Sequence, residues 1–304
     1  MTRSTVNPAG AFSSTPVQSV GDVYRLMIRA FEGVGIDTAA LDARLLLSEL
    51  MEIEAAALIS DPFRLIGDKA DAVNAAARRR MAREPVSRIL GWREFYGRRF
   101  EISPATLDPR SDTETLIDAA LAVARSPGHF GKPLRILDVG TGSGCLLITL
   151  LAELKDASGI GTDIHPETLQ VAERNAVTHG VWPRMSLRIV DALDGIDERF
   201  DILIANPPYI PTNEIRGLEP EVSQYDPAVA LDGGPDGLAH YRRLIQGLVS
   251  VVPKGYAFLE IGSNQARDVM ALLQAEGAPA GWLDPTVICD LSGNTRCVAQ
   301  KTLG

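Results

Sequence analysis

From Val23 onward apolar positions recur with helical spacing: Val23, Leu26, Met27, Ala30, Phe31 and Val34 share one face. The stretch "DTAALDARLLLSELM" repeats this pattern behind an Asp or Thr cap. "GDKADAVNAAARRRMAREP" predicts a further, alanine-rich helix that stops before Pro85, with basic residues in its last turns where they suit the helix dipole. Residues 19–90 therefore read as a small all-helical domain. Ahead of them, residues 1–18 are rich in Ser, Thr, Pro and Gly and offer too little apolar surface to offset ordering, which predicts a mobile tail.

Beyond the helices the period changes. In "REFYGRRFEISP" aromatic and β-favouring residues flank Gly97, so residues 91–108 are expected to form a short β-hairpin joining two domains. Over residues 109–304, the runs "LRILDV", "ASGIGTDI", "SLRIV", "FDILIAN" and "YAFLEIG" alternate with helical patterns such as "HPETLQVAERNAVTHG". That is the βαβ rhythm of a parallel, doubly wound α/β sheet. The closing stretch "WLDPTVICDLSGNTRCVAQKT" predicts two strands joined at "SGN", so the last strand should run antiparallel.

Composition narrows the class. With 304 residues, 45% hydrophobic and 23% charged, the chain can bury a substantial core. No apolar run approaches the roughly 20 residues that cross a bilayer, and the N-terminus lacks the apolar stretch of a secretory signal. The expectation is a cytoplasmic protein without membrane association, and a monomer. Cys145, Cys289 and Cys297 are too scattered for a metal-spaced set and odd in number, so they read as reduced thiols in or near the core, with no metal site. A net charge of -9 weighs against stable nucleic-acid binding.

The first candidate chemistry lies in "LDVGTGSGCL", where Gly140, Gly142 and Gly144, with Thr141 and Ser143 between them, stand at a strand-to-helix turn. Glycines there let a backbone approach a ligand closely, in dehydrogenases and methyltransferases alike. Three acids sharpen the choice. Asp138 just before the loop would repel a pyrophosphate but attract the ammonium of a methionine moiety. Asp163, followed by Ile164, lies about 20 residues on, the spacing that puts a carboxylate on ribose hydroxyls. Asp191, followed by Ala192, ends the third strand and faces the adenine amino group in this reading. The set favours S-adenosylmethionine, with S-adenosylhomocysteine as product, over NAD.

The second lies in "FDILIANPPYIP". Two prolines remove two backbone donors but leave every carbonyl, so the corner presents acceptors and suits a guest that donates hydrogen bonds. A planar NH2 group fits: one hydrogen on the Asn206 side-chain oxygen, the other on a backbone carbonyl, most simply that of Pro207, with Tyr209 stacked on the guest. In-line proximity to a methyl donor then supplies most of the barrier reduction, for which about 7–11 kcal/mol is available. Asn206, Pro207 and Tyr209 are the catalytic candidates. His129, His165, His179 and His240 sit in contexts of exposed loops or helix ends and are assigned no chemistry.

These motifs resemble the class I, seven-stranded methyltransferases of the HemK or PrmC type. "EPVSRILGWREFYGRRFEI" is similar to their inter-domain segment, "LDPRSDTETLID" to the opening of their catalytic domain, and "ILDVGTGSGCL" and "NPPYI" to their cofactor loop and substrate corner. "YDPAVALDGGPDGLAHYRRLI" is similar to the segment after the corner. The resemblance implies a Rossmann-like methyltransferase domain behind a helical substrate-recognition domain, acting on a glutamine side-chain amide in peptide chain release factors. It also implies that Asn206 serves both cofactor and substrate, that Pro207, Pro208 and Tyr209 shape the glutamine pocket, and that Phe95 packs against the substrate side chain. Ser111 after Arg110, Ala192 where relatives carry an aromatic, and "SGNTR" near the end depart from the pattern, and are expected to affect affinity more than activity. Three alternatives share parts of the pattern: a ribosomal-protein glutamine methyltransferase, a DNA or RNA nucleobase amino-methyltransferase, and a non-catalytic docking module.

Overall fold

The computed structural model describes residues 18–128, 131–277 and 282–303. His129 and residues 1–17 of the expected tail lie outside them. Two units make up the chain, dividing between Gly91 and Trp92.

In the first unit α1 (Val20–Gly33) and α2 (Ala39–Met51) pack against α4 (Ala70–Met81), with the short α3 (Ala57–Ser60) and α5 (Val86–Leu90) closing the bundle. Val23, Met27 and Phe31 of α1 meet Ala43, Leu46 and Leu47 of α2 in one apolar cluster, as the spacing predicts. Ser19 caps α1 by accepting from Asp22 N–H, whereas Thr38 at the head of α2 makes no capping bond. The basic end of α4 does more than meet a helix dipole. Arg80 is buried and donates to Asp42 of α2 at 2.7 Å. Removing one partner of such a pair costs about 3–5 kcal/mol, because the other is left as an uncompensated charge.

The second unit opens with the hairpin β1 (Trp92–Phe95) and β2 (Arg98–Glu101), joined through Tyr96 and Gly97, both in left-handed backbone. The hairpin was expected as a linker. Instead Phe95 and Phe100 are buried among residues of α6 (Glu114–Ala124) and α7 (Cys145–Glu153), and Tyr96 N–H is held by the Glu114 carboxylate. The hairpin therefore belongs to this unit's core.

Strands β3 (Arg135–Val139), β4 (Ser158–Asp163), β5 (Met185–Ile189), β6 (Ile202–Ala205), β7 (Tyr256–Glu260), β8 (Thr286–Cys289) and β9 (Thr295–Lys301) form one sheet in the order β5-β4-β3-β6-β7-β9-β8. The first five run parallel, and β9 is antiparallel to both β7 and β8. Helices α6, α7 and α8 (Pro166–Thr178) cover one face, while α10 (Ala239–Val251) and α11 (Ala266–Gly277) contribute to the apolar cluster on the other; α9 (Pro220–Ser223) lies in the loop after β6. All four residues of β6 are buried, the continuous apolar run of a strand covered on both faces. Strand order reverses between β3 and β6, which opens a crevice at their carboxyl ends. Cys145 and Cys297 are buried, and burial pushes the Cys145 thiol up to about 12; Cys289, expected near the core, is exposed. Among the described residues no helix is long and apolar enough to cross a membrane.

Candidate active site

The turn after β3 is held in shape from beneath. Gly140, Gly142 and Gly144 have φ of +71°, +57° and +81°, values that residues with a Cβ rarely adopt. Asp138 lies wholly buried below them, its Oδ2 accepting from the Thr141 hydroxyl at 2.7 Å and from Leu147 N–H at 3.3 Å. Asp163 at the end of β4 accepts from Gly142 N–H at 3.2 Å and from His165 N–H at 3.1 Å. Asn175 of α8 donates to the Ser143 carbonyl at 2.8 Å and also bonds both backbone groups of Glu101 on β2.

Burial raises the Asp138 pKa from 3.8 to about 7, against the Thr141 and Leu147 hydrogen bonds, which lower it. Between those values the unfolded chain has lost the proton that the folded chain keeps, so this group's contribution to stability falls as pH rises and is level above about 7. Asp138→Asn keeps an acceptor for Thr141 and is expected to remove that decline, read as a flatter profile of Tm against pH. Asp138→Ala strands the buried Thr141 hydroxyl and is expected to be less stable than Asp138→Asn by about 1–3 kcal/mol at any pH. Equal profiles for the two variants would contradict this account.

Strand β6 delivers the Asn-Pro-Pro corner to the same edge. Asn206 is half-buried and its Nδ2 donates to Thr113 Oγ1 at 3.4 Å. The corner rests on the segment after α9: Ile210 N–H bonds the Leu231 carbonyl, Gly233 N–H bonds the Ile210 carbonyl, and Gln265 Nε2 holds the Tyr209 carbonyl at 2.9 Å. Before α6, Arg110 pairs with the buried Asp226 and Asp112 pairs with Arg296. Ser111 thus stands between two anchored neighbours.

One cleft collects most of the expected residues: Gly140, Thr141, Gly142, Ser143, Asp163, Ile164, Asp191, Ala192, Asn206, Pro207 and Pro208 all border it. Four do not. Gly144 ends the loop against Ile148 and Ala172, and Asp138 lies buried beneath the loop, a scaffold for the turn and not a surface for an ammonium. Phe95 is 1% exposed within the apolar core, so it has no surface to offer a substrate. Tyr209 packs against the apolar cluster on the α10 side, and burial pushes its hydroxyl up to about 12; it backs the corner where stacking on a guest was expected. Conversely His165 and His240, given no chemistry, border the cleft, and His165 Nε2 is buried with no hydrogen-bond partner. Leu107, Pro109 and Thr113, all within "LDPRSDTETLID", form a wall that sequence reasoning did not assign, because that segment was matched as a whole and none of the three side chains signals chemistry by its type.

Asp191 is exposed and bonds Arg243 of α10 at 2.8 Å. Ala192 beside it has φ +53°, a left-handed conformation unusual for a residue with a Cβ. Apolar surface that an aromatic at Ala192 would give the cleft is supplied by Val190 and Leu244.

A sheet in this order with a reversed last strand, whose glycine turn and Asn-Pro-Pro corner open on one cleft, defines a class I methyltransferase. The hMettl16 catalytic domain, solved in complex with MAT2A 3'UTR hairpin 6, shares the fold at 16% identity, with a TM-score of 0.51 over 77% of this chain and 83% of that one. Residues 22–91 match the PrmC N-terminal domain and residues 121–217 the methyltransferase small domain. The chain is 42% identical to the release factor glutamine methyltransferase of Cereibacter sphaeroides, over 92% of this chain and 97% of that protein. It is 43% identical to that of Rhodospirillum rubrum, over 88% of this chain and 80% of that protein. The chain belongs to the release factor glutamine methyltransferase family.

Proposed function

We propose that this protein transfers a methyl group from S-adenosylmethionine to the side-chain amide nitrogen, N5, of a glutamine in peptide chain release factors. The observation that carries the reading is the shared cleft: Asn206, Pro207 and Pro208 stand at the end of β6, one strand from the glycine turn after β3. Family membership narrows the guest from any planar amine to a protein glutamine.

The residues present fit the cofactor. Each Asp163 oxygen accepts one backbone N–H and keeps lone pairs for ribose hydroxyls. Asp191 retains acceptor capacity beside its Arg243 bond for the adenine amine. Gly140 and Gly142 leave room for the backbone to approach the amino-acid end. When bound, S-adenosylmethionine supplies an electrophilic methyl on a sulfonium.

The chain's own residues bind and orient the acceptor. An amide nitrogen is a poor nucleophile because its lone pair is delocalised. Asn206 Oδ1 and the Pro207 carbonyl hold its two hydrogens and keep the nitrogen facing the methyl. They act as preorganised acceptors as positive charge develops there. The prolines add no N–H to compete for them. We read the helical unit as the part that recognises the protein substrate.

Incubation with labelled S-adenosylmethionine and purified release factors, ribosomal proteins and RNA tests the reading. Label on a release-factor glutamine is the expected result; label on RNA or a ribosomal protein alone would overturn it.

A further inference from the structure

We propose that Glu260 is a positioning residue for methyl transfer, which fixes the amide of Asn206 so that its oxygen, and not its nitrogen, is presented to the incoming amide. The proposal rests on the function proposed above and adds a residue that none of the sequence motifs contains.

The juxtaposition follows from sheet register. Ala205 of β6 pairs with Leu259 of β7 in a parallel ladder, so the next residues, Asn206 and Glu260, stand side by side on the same face of the sheet. Neighbouring strands are about 4.8 Å apart, within reach for the two side chains. Glu260 is 3% exposed, and one of its carboxylate oxygens, Oε2, is buried without a hydrogen-bond partner. Its backbone is fixed, since the Glu260 carbonyl accepts from the buried Tyr241 hydroxyl at 2.6 Å.

An asparagine amide can be turned by half a rotation at almost no steric cost, so its hydrogen-bond neighbours decide which end points where. The bond from Asn206 Nδ2 to Thr113 Oγ1, at 3.4 Å, is too long to decide this alone. A hydroxyl also accepts or donates with equal ease. A carboxylate only accepts. The ionised Glu260 therefore selects the orientation with Nδ2 toward itself and Thr113, which leaves Oδ1 for the cleft. Drawing on the Asn206 N–H groups also raises electron density on Oδ1, the atom that must accept from the substrate.

The groups facing Glu260 come from every side: Thr113 and Asp112 from the turn before α6, Cys145 from α7, Tyr241 from α10, Arg296 and Cys297 from β9, Tyr209 from the corner, and Asn206 itself. Arg296 is shared between Asp112 at 2.6 Å and Asp290 at 2.9 Å, so it offsets only part of the burial. Burial raises the carboxyl pKa to about 7, while Thr113, Arg296 and Asn206 pull it down. A protonated Glu260 can donate, which favours the reversed amide. Turnover is then expected to rise with pH through that range.

Glu260→Gln conserves shape and removes the obligate acceptor. With a purified release factor as substrate, the variant is expected to bind S-adenosylmethionine as the wild type does, to keep KM, and to lose about 10²-fold in kcat, as a misplaced reacting group does. It should also lack the acid limb of the kcat profile. A second measurement needs neither substrate nor variant turnover: the side-chain NH2 resonance of Asn206, assigned by its loss in Asn206→Ala, is expected to titrate with Glu260 in the wild-type protein. Unchanged kcat in Glu260→Gln, or an Asn206 NH2 signal indifferent to pH in the wild type, would overturn the proposal. If the wild type methylates no release factor and the NH2 signal still titrates, the proposed substrate falls and the role of Glu260 stands.

Discussion

Asn206→Ala is expected to lower kcat about 10²–10³-fold, the loss typical of removing one preorganised polar group that acts on charge developing in the transition state. The protein should keep measurable affinity for S-adenosylmethionine, because Asp163, Asp191 and the glycine turn are untouched. The fold should also survive. Asn206 bonds Thr113 at 3.4 Å and faces Glu260, and the Tyr209 carbonyl of the corner is held independently by Gln265. Glu260 would lose a donor but can take up a proton instead, since its pKa already lies at about 7. Steady-state kinetics with a release-factor substrate and calorimetry with the cofactor separate the two effects. Near-normal turnover would refute the assignment of Asn206.

Gly237→Ala should do the reverse, damaging structure first and activity as a consequence. A Cβ at Gly237 would lie 2.4 Å from the Tyr209 carbonyl oxygen and 2.6 Å from Gln265 Nε2, in backbone at φ +74°. Neither neighbour can yield. The carbonyl is main chain, and Gln265 is itself bonded to Tyr209 and Gly237 carbonyls. Strained backbone and overpacking together cost on the order of 2–5 kcal/mol. Tm should drop by roughly 4–20 °C on the scale for a domain of this size. Gly180→Ala is the control: its φ is +69° but no atom lies within 4 Å of the added carbon, so it bears only the backbone strain. Equal Tm values for the two variants would show that the close approach to Tyr209 has no cost.

What the sequence made legible, and what it concealed, divides along one physical line. The five parallel strands, the glycine turn and the acids at strand ends are local features, readable from period and spacing. Asp163, Asp191 and Asn206 accordingly reach the cleft. Residues that act through distant packing were not readable. Glu260 looks like the polar end of one more strand until β7 is known to lie beside β6. Asn175 sits within a helical pattern and Gln265 just ahead of α11, yet they fasten the glycine turn and the corner respectively.

The misjudged residues err in a consistent direction. Phe95 and Tyr209 are aromatic and adjacent to motifs, which suits a pocket wall and a core equally well, and the structure uses both for packing. Asp138 was read as a charge offered to a ligand, and its burial turns it into a bracket for the loop. In each case identity was right and exposure was not, because exposure depends on elements far away in the chain.

The bonds of Asn175 join the Ser143 carbonyl of the glycine turn and both main-chain groups of Glu101 in the hairpin into one fastening. Local opening of either segment has to break bonds of the same side chain, so the openings of the two are coupled. A cofactor that steadies the turn by mass action therefore steadies β2 as well. The amide proton of Glu101, remote from the methyl being transferred, becomes a slow-exchanging reporter of whether the turn is loaded.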